Sequence, residues 1–378
     1  MKLISFLLLI ALNVAQVVQS RPVANNTEAA VHPQRRHDHD HGHGGHHDHG
    51  GHHHPDNKKR SAHKLFVFGD ELADNGNVDS DPALGSSSRE WRYPYGMSDT
   101  LHRRKSTGRA SDGLVQSDFL AMIMGHRESP PAYNSDDTVD PSGMNFAVAG
   151  ARALDSASAG FVTLRKQVQQ LRDLVRDGVV DEDRDFKDSV ALVAYSGNDY
   201  ADADDDDAFA AMIPKVVDEL ASVVSDLQDM GVSKVLVNTL QPFGCSAWQA
   251  KRRNYESCND AGNAMSDKHN TELRERLGDG EEDVMLLDVN SVFMDMVAPR
   301  QEGSTLAAQF TERLRPCCEG VGDDGYCGLD QQFTLCDRPD KYFYWDDFNP
   351  THAGWRAVMR ILQGPIMAFL GISSLNHF

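Results

Sequence analysis

The sequence predicts an α/β fold: a three-layer α/β/α sandwich built around a mostly parallel, five-stranded sheet. Two observations predict it. Beyond residue 63, five short apolar runs alternate with longer stretches in which apolar residues recur at helical spacing. With 40% hydrophobic residues in a chain of 378, there is also enough apolar surface for a large core. Strands that alternate with helices in this way form parallel sheets that are covered on both faces.

The predicted strands are short and rich in Val, Leu and Phe, and they lie at 64–68, 144–148, 190–195, 234–239 and 284–288. The predicted amphipathic helices lie at 111–124, 162–177, 208–230, 260–277 and 351–370. Parallel strands of such a sheet end at one common edge, and ligands bind there. We therefore expect the functional residues directly after the strands.

The first twenty residues have the features of a secretory signal peptide. Lys2 precedes an apolar run at 3–15, and small residues surround Ser20, after which we expect cleavage. The run is too short to span a membrane, and no second long apolar stretch follows it. We therefore expect a secreted, extracellular protein that does not span the membrane. Residues 64–378 are predicted to form a single domain.

Residues 21–63 form a tail rich in His, Gly and Asp, without apolar periodicity, and it is predicted to be disordered. Its clustered imidazoles are candidate ligands for a divalent metal such as Zn²⁺ or Cu²⁺. They are His37, His39, His41, His43, His46, His47, His49, His52, His53 and His54. The alternative is a solubilising spacer with incidental metal affinity.

Two further features of the tail concern processing. Lys58, Lys59 and Arg60 resemble a dibasic cleavage site, and a cut there would make the tail a propeptide. Asn25 lies in an N-x-[ST] triplet and is a candidate glycosylation site.

The overall charge excludes some partners. The formal net charge is −20 and the sequence pI is ≈ 5.2. A chain this acidic is not expected to bind nucleic acid as its main partner. We expect a monomer that needs no cofactor.

The cysteines are even in number, and all six follow residue 244: Cys245, Cys258, Cys317, Cys318, Cys327 and Cys336. In a secreted chain, disulfides are their expected state, and the spacing alone leaves the pairing open. Zinc is the competing interpretation, but the paired C-x₂-C spacing of zinc sites is missing.

Motifs stand where the predicted strands end. The first strand is followed by GDELADNGN at 69–77, the second contains NFAVAGA at 145–151, and the third is followed by SGNDY at 196–200. TGRASDG lies at 107–113, and WDDFNPT lies at 345–351. In this order the segments resemble the plant-type GDSL esterase/lipase family of the SGNH hydrolase superfamily, over residues 64–370. The resemblance implies an SGNH, flavodoxin-like fold and an ester, lipid or glycan-like ligand.

The resemblance also implies site residues. In this family a Ser attacks the ester, a His three residues after an Asp takes its proton, and a Gly and an Asn hold the oxyanion. These roles fall on Gly150 and Asn198 for the oxyanion and on Asp346 for the triad carboxylate. The nucleophile position is Glu71 instead of Ser, and the base position is Asn349 instead of His. By the same resemblance we expect a Cys245–Cys258 bridge and two bridges among the later four cysteines.

The two replacements remove the family's chemistry. Glu71 has no hydroxyl to acylate, and the Asn349 amide cannot accept a proton near neutral pH. We expect the Glu71 carboxylate to fold onto the donors of Gly150 and Asn198 and to block them. The sequence therefore favours a pseudoenzyme that binds a ligand or partner. The alternative is an active ester hydrolase with a non-standard catalytic set, for which His352 is the one nearby imidazole, expected at the surface where the last helix begins.

Overall fold

The computed structural model describes residues 63–81, 88–133, 140–155, 162–278, 282–298, 305–322, 326–328 and 332–373. The predicted signal peptide, the tail with its candidate histidine ligands, Lys58 to Arg60, and Asn25 lie outside these residues. Within them, no helix is both long enough and apolar enough to cross a bilayer.

The centre of the fold is a parallel sheet of five strands, as predicted. The strands are β1 (Lys64–Gly69), β2 (Gly143–Asn145), β3 (Ser189–Ala194), β4 (Lys234–Asn238) and β5 (Val284–Leu287). Their order across the sheet is β2-β1-β3-β4-β5, and every neighbouring pair is parallel. β1 and β3 are therefore central, and the segments that follow them lie side by side at one edge of the sheet.

Helices follow the strands along the chain. They are α1 (Gln116–Ile123), α2 (Leu164–Arg176), α3 (Asp206–Asp229), α4 (Ala247–Lys251), α5 (Asp260–Leu277), α6 (Val289–Val297) and α7 (His352–Leu370). Side chains cap several of their N-termini. Thr163 accepts a hydrogen bond from the Lys166 N–H, Asp205 from the Ala208 N–H, and Thr351 from the Gly354 N–H. Such caps satisfy N–H groups that have no partner inside the helix.

The apolar residues of the strands alternate between two cores. Leu65 and Val67 of β1 pack into one, while Phe66 and Phe68 pack into the other. This is the alternation expected of a strand with helices on both faces. All four side chains have no exposed surface, so the sheet is the buried middle layer of the predicted sandwich.

The prediction from helical spacing was wrong about the start of one helix, and it missed the two short helices α4 and α6. The helix predicted to begin at 111 begins at Gln116, because the preceding residues contact the last helix instead. Asp112 accepts the His352 N–H at 2.7 Å, and the Leu114 N–H donates to the His352 ring at 3.1 Å.

The C-terminal part adds short strands and three disulfides. β6 (Glu312–Pro316) pairs with β9 (Tyr342–Tyr344), and β7 (Cys318–Gly320) pairs with β8 (Phe333–Leu335). The bridges are Cys245–Cys258, Cys317–Cys336 and Cys318–Cys327. They confirm the expected pairing, and the two later bridges fasten the segment that leads to Asp346.

Candidate functional site

The Glu71 carboxylate lies at the carboxyl edge of the sheet, two residues beyond β1, and it is held by three donors. Its Oε2 accepts hydrogen bonds from the Gly150 backbone N–H and from the Asn198 side-chain amide, both at 2.9 Å. Its Oε1 accepts one from the Ser196 hydroxyl at 3.1 Å. The carboxylate therefore occupies the donors that the sequence assigned to an oxyanion.

The end of β1 is fixed from two sides. The Gln167 side chain on α2 accepts the Gly69 N–H and donates to the Gly69 carbonyl, both at 2.8 Å. On the other side, a Cβ at Gly69 would lie 2.0 Å from the Ala194 carbonyl oxygen, and its φ of +145° favours glycine. Only glycine allows β1 and β3 to approach this closely, so the backbone is tightly packed two residues before Glu71.

Gly150 owes its position to Asp74, which has no exposed surface. One carboxylate oxygen of Asp74 accepts the N–H groups of Gly76 and Asn77, at 2.8 and 2.7 Å. The other accepts the Ala149 N–H at 2.8 Å, which ties the loop after β1 to the turn that carries Gly150. Burial raises the pKa of Asp74 to about 6.

Asn198 follows β3 and adjoins a second buried carboxylate, Asp70. The Asn198 amide also donates to the Ala151 carbonyl at 3.1 Å, which orients it toward Glu71. Asp70 accepts the Ser196 N–H at 2.6 Å and the Leu72 N–H at 3.2 Å. Burial, followed by the negative charge of Glu71, raises the pKa of Asp70 well above its ordinary value. Asp70 is thus a buried carboxyl next to Glu71 that favours its protonated form.

Asp346 and Asn349 form a second hydrogen-bonded group. The Asn349 amide donates to both carboxylate oxygens of Asp346, at 3.0 and 3.2 Å, and the Asn349 N–H donates to one of them at 2.8 Å. Tyr95 donates its hydroxyl to Asp346 Oδ2 at 2.9 Å. Asn349 is 1% exposed, and its amide oxygen has no hydrogen-bond partner among the described residues. The Asn349 amide donates to Asp346 as the N–H of a histidine at this position would. Unlike histidine, it has no nitrogen that can act as a base.

Within the described residues, no hydrogen bond joins Glu71 to Asp346 or Asn349. The buried Glu90 lies within electrostatic reach of both sides of the site. Burial raises the pKa of Glu90 to about 7, Arg89 opposes this rise, and the negative charges of Asp346 and Asp74 add to it. Glu90 therefore interacts electrostatically with Asp346 and with Asp74, the carboxylate that positions the turn of Gly150.

His352 is not the surface side chain that the sequence suggested. Its ring accepts the Leu114 N–H, and it packs edge-on against Phe119 at 5.3 Å between ring centroids. Burial lowers the pKa of His352, which keeps the imidazole neutral. The acceptor is Nδ1, and no hydrogen bond joins the His352 ring to Glu71, Asp346 or Asn349 in the described chain.

Sequence reasoning missed the roles of Ser196, Asp74 and Tyr95. Ser196 and Asp74 lie inside the quoted motifs, so their positions after β3 and β1 could have indicated them. Tyr95 is 251 positions from Asp346, and nothing in its surroundings along the chain indicates that contact. Among the described residues there is no cluster of three or more His, Cys, Asp or Glu suited to a metal ion.

The arrangement offers donors, carboxylates and a fixed aspartate. The Ser196 hydroxyl lies beside Glu71, and the Glu71 carboxylate accepts hydrogen bonds from Gly150 and Asn198. A carbonyl oxygen bound by these two donors would have to displace Glu71.

Comparisons with known proteins agree with the motifs. Residues 65–362 match the model of the GDSL-like lipase/acylhydrolase family. A GDSL esterase/lipase of Arabidopsis thaliana is 34% identical over 333 residues, which cover 83% of this chain and 97% of that protein. A second Arabidopsis GDSL esterase/lipase is 31% identical and covers 81% of this chain and 88% of its own length.

Among solved structures, a catalytic mutant of an acetylxylan esterase from Geobacillus stearothermophilus is 13% identical and covers 83% of this chain and 96% of its own. Its TM-score is 0.36, so this similarity carries no argument here. The match to the family model and the identity with the plant relatives are sufficient to assign the family. This chain belongs to the GDSL-like lipase/acylhydrolase family.

Proposed function

We propose that this chain is a secreted pseudoenzyme of the GDSL esterase/lipase family, which binds an ester, lipid or glycan-like ligand, or a partner protein, without turnover. The observation that supports this most is the Glu71 carboxylate, whose Oε2 accepts hydrogen bonds from both Gly150 and Asn198. A negative charge at these donors excludes the developing oxyanion of an ester, which carries the same charge.

The replacement at Asn349 supports the same conclusion independently. Its side-chain amide donates hydrogen bonds to Asp346, and an amide nitrogen accepts no proton near neutral pH. In an unrelated serine hydrolase, loss of the nucleophile or the base alone costs about 10⁶ in turnover. A chain that lacks both groups is expected to retain no more than the background rate.

Secretion is supported by the apolar run at 3–15 and by the three disulfides, which are typical of oxidising compartments. Metal capture by the histidines of the tail remains a weaker proposal. It predicts that Zn²⁺ binding is lost when residues 21–60 are removed.

One observation favours the alternative of an active hydrolase. The Ser196 hydroxyl donates to Glu71 Oε1 at 3.1 Å, so a hydroxyl and a carboxylate stand within hydrogen-bond reach. For Ser196 to attack a carbonyl held by Gly150 and Asn198, however, Glu71 would have to leave those donors and still serve as the base. The two requirements conflict, and we therefore favour the pseudoenzyme.

The test compares the wild type with Glu71→Ser, Asn349→His and the double variant on p-nitrophenyl acetate and butyrate. We expect hydrolysis by the double variant at about 10-fold or more above the wild type, because nucleophile and base return beside intact donors. Each single variant should stay near background. A Ser196→Ala variant is the matched control, since its loss of hydroxyl changes no rate if the wild type is inactive. Wild-type hydrolysis that Ser196→Ala abolishes would support the active alternative instead.

A further inference from the structure

A basic surface lies beside the candidate site of this acidic chain. It consists of Lys251, Arg252 and Arg253 at the end of α4, together with Arg315 of β6, and we call it the basic rim. Arg252 and Arg253 are exposed, and within the described parts of the chain neither forms an ion pair with a carboxylate. In a protein of net charge −20, adjacent arginines that no carboxylate neutralises are available to an external anion.

Aromatic rings hold two of these guanidinium groups in place. The Arg252 guanidinium carbon lies 4.3 Å from the centroid of the Trp248 ring, and that of Arg315 lies 4.2 Å from the centroid of Tyr255. A guanidinium stacked on a ring keeps its N–H groups at its edges, directed away from the ring face. Because the side chain is already ordered, less conformational entropy is lost when it binds a carboxylate.

An open cavity adjoins the rim, and its walls combine polar groups with a larger apolar surface. Its volume is ≈ 310 Å³, and it is lined by Lys251, Glu319, Gly320, Val321, Gly322 and Thr334. The Lys251 ammonium donates to the Gly322 carbonyl at 3.2 Å and lies 3.6 Å from the Glu319 carboxylate. The lining combines an ammonium, a carboxylate, a hydroxyl and peptide groups with one large apolar side chain. Such a mixture suits a small ligand that both donates and accepts hydrogen bonds.

The rim is continuous with the segment that carries the candidate site. The Trp248 N–H donates to the Asp347 carbonyl at 3.0 Å, and the Trp248 ring stacks on that of Phe348 at 6.0 Å between centroids. Asp347 and Phe348 lie between Asp346 and Asn349 in the chain. A ligand on the rim therefore lies next to the site and requires none of the donors that Glu71 occupies.

We propose that the basic rim and its cavity bind an acidic polysaccharide, a chain of sugars that carry carboxylates. Arg252 and Arg253 bind the carboxylates, and the cavity, which offers both polar groups and apolar surface, accepts a hydroxyl-bearing ring. This rests on the proposed function in one respect, that a chain without turnover acts by binding. The binding surface is separate from the Gly150 and Asn198 donors that Glu71 occupies.

The charges and side chains disfavour an anionic membrane. The large hydrophobic side chains that are exposed in the described residues are Tyr93 and Val321, too few to enter a bilayer. A membrane plane would also face the acidic remainder of the protein, whereas a narrow chain senses charges within about 10 Å. An acidic peptide is disfavoured because its acidic side chains offer no hydroxyl to the Glu319 carboxylate that lines the cavity, whereas each sugar ring carries hydroxyls besides its carboxylate.

The test measures binding of the full chain to polygalacturonate by calorimetry at about pH 7.5, where the histidines of the tail are neutral. The double variant Arg252→Ser/Arg253→Ser should bind about 10-fold more weakly, since it loses two ionic contacts. The matched control, Arg103→Ser/Arg104→Ser, removes the same charge from another exposed arginine pair and should bind within about two-fold of the wild type. Thermal unfolding of each variant checks the fold. Arg252→Lys/Arg253→Lys, which keeps the charge, should bind at an intermediate strength.

Three comparison ligands decide the class. Fully methyl-esterified polygalacturonate, polyglutamate and phosphatidylserine-containing vesicles should each bind far more weakly than polygalacturonate. Equal binding of polyglutamate would overturn the sugar assignment, and stronger binding of vesicles would replace it with a membrane. Equal loss in both arginine pairs would mean that no local surface exists. An ester-hydrolysis assay on the same samples keeps the two proposals separate, because active wild type would refute the pseudoenzyme without altering the binding result.

Discussion

Glu71 Oε2 lies 2.9 Å from the Gly150 backbone nitrogen, and it is equally far from the Asn198 amide nitrogen. The motif resemblance assigns these donors to the oxyanion of a reacting ester and assigns position 71 to the nucleophile. In the proposed pseudoenzyme, Glu71 therefore has two effects: it lacks the nucleophilic hydroxyl, and its carboxylate occupies both donors.

The first prediction concerns the carboxyl next to Glu71. Glu71→Gln keeps the size of the side chain and removes its charge. The pKa of Asp70 should fall, because the charge of Glu71 is the second cause of its rise after burial. It should stay above the ordinary value, since burial is unchanged. Titration of the carboxyl carbon of Asp70 by NMR measures this. Glu256→Gln, at an exposed glutamate, is the control, and an equal shift there would contradict the electrostatic explanation.

The second prediction concerns the aspartate that the site retains. Tyr95→Phe removes the hydroxyl that donates to Asp346 and leaves the ring against Trp345. The free energy of unfolding should fall by about 1–3 kcal/mol, the usual cost of a lost bond to a buried charged group. Urea denaturation measures it. Tyr93→Phe at the exposed neighbouring tyrosine should cost almost nothing, and similar losses in the two variants would contradict the role given to Tyr95.

The third prediction contrasts two glycines with positive φ. Gly69→Ala places a methyl group 2.0 Å from the Ala194 carbonyl oxygen in the central strand pair, and little folded protein should remain. Gly150→Ala meets no atom within 4 Å, so only the strain of its φ of +79° should count, about 1–2 kcal/mol. Thermal unfolding of both variants decides. A Gly150→Ala variant as unstable as Gly69→Ala would show that the turn at 150 is packed more closely than described.

The fourth prediction is the dependence of stability on pH. Asp74 and Glu90 have pKa values raised to about 6 and about 7, so between about pH 4 and 7 the folded state binds more protons than the unfolded state. Their stabilising effect is present at low pH and is lost as the pH rises through those values. His269 acts in the opposite direction, since burial lowers its pKa to about 3 and its contribution is lost as the pH falls below about 6.5.

Four carboxyls with raised pKa values outweigh two histidines with lowered pKa values; the carboxyls are Asp70, Asp74, Glu90 and Asp347, and the histidines are His269 and His352. The free energy of unfolding should therefore rise by at least about 1 kcal/mol when the pH falls from about 7.5 to about 5. Urea denaturation at the two values measures the change. Glu90→Gln should reduce it, and stability that falls steadily over this range would contradict the assigned shifts.

Four of the five strands were predictable because each is a short apolar run, whereas β2 was predicted at 144–148 and lies at Gly143–Asn145. The predicted bounds of β1, β4 and β5 differ from the observed ones by a single residue. The position of Glu71 beside Gly150 and Asn198 was also predictable, since all three follow strands whose ends meet at one edge. The bridges followed from the family resemblance in the same way.

The remaining features depend on contacts that the local sequence does not encode. The first predicted helix lost its opening turn because Asp112 and Leu114 bind His352, more than 230 residues away. Tyr95 donates a hydrogen bond to Asp346, which lies 251 positions later in the chain. The helix α6 is a different case, because its buried residues recur at helical spacing and the prediction overlooked this pattern; they are Val289, Val292, Phe293, Met296 and Val297.

The central claim is that Glu71 blocks the site and does no chemistry. Its most direct test is the rate of p-nitrophenyl butyrate hydrolysis by the wild type beside Glu71→Ala, with a chain lacking Asp346 (Asp346→Ala) as the inactive reference. We predict that the wild type and Glu71→Ala both hydrolyse the ester no faster than the reference. Hydrolysis by the wild type well above that reference, abolished by Glu71→Ala, would make Glu71 a catalytic group and would contradict the account.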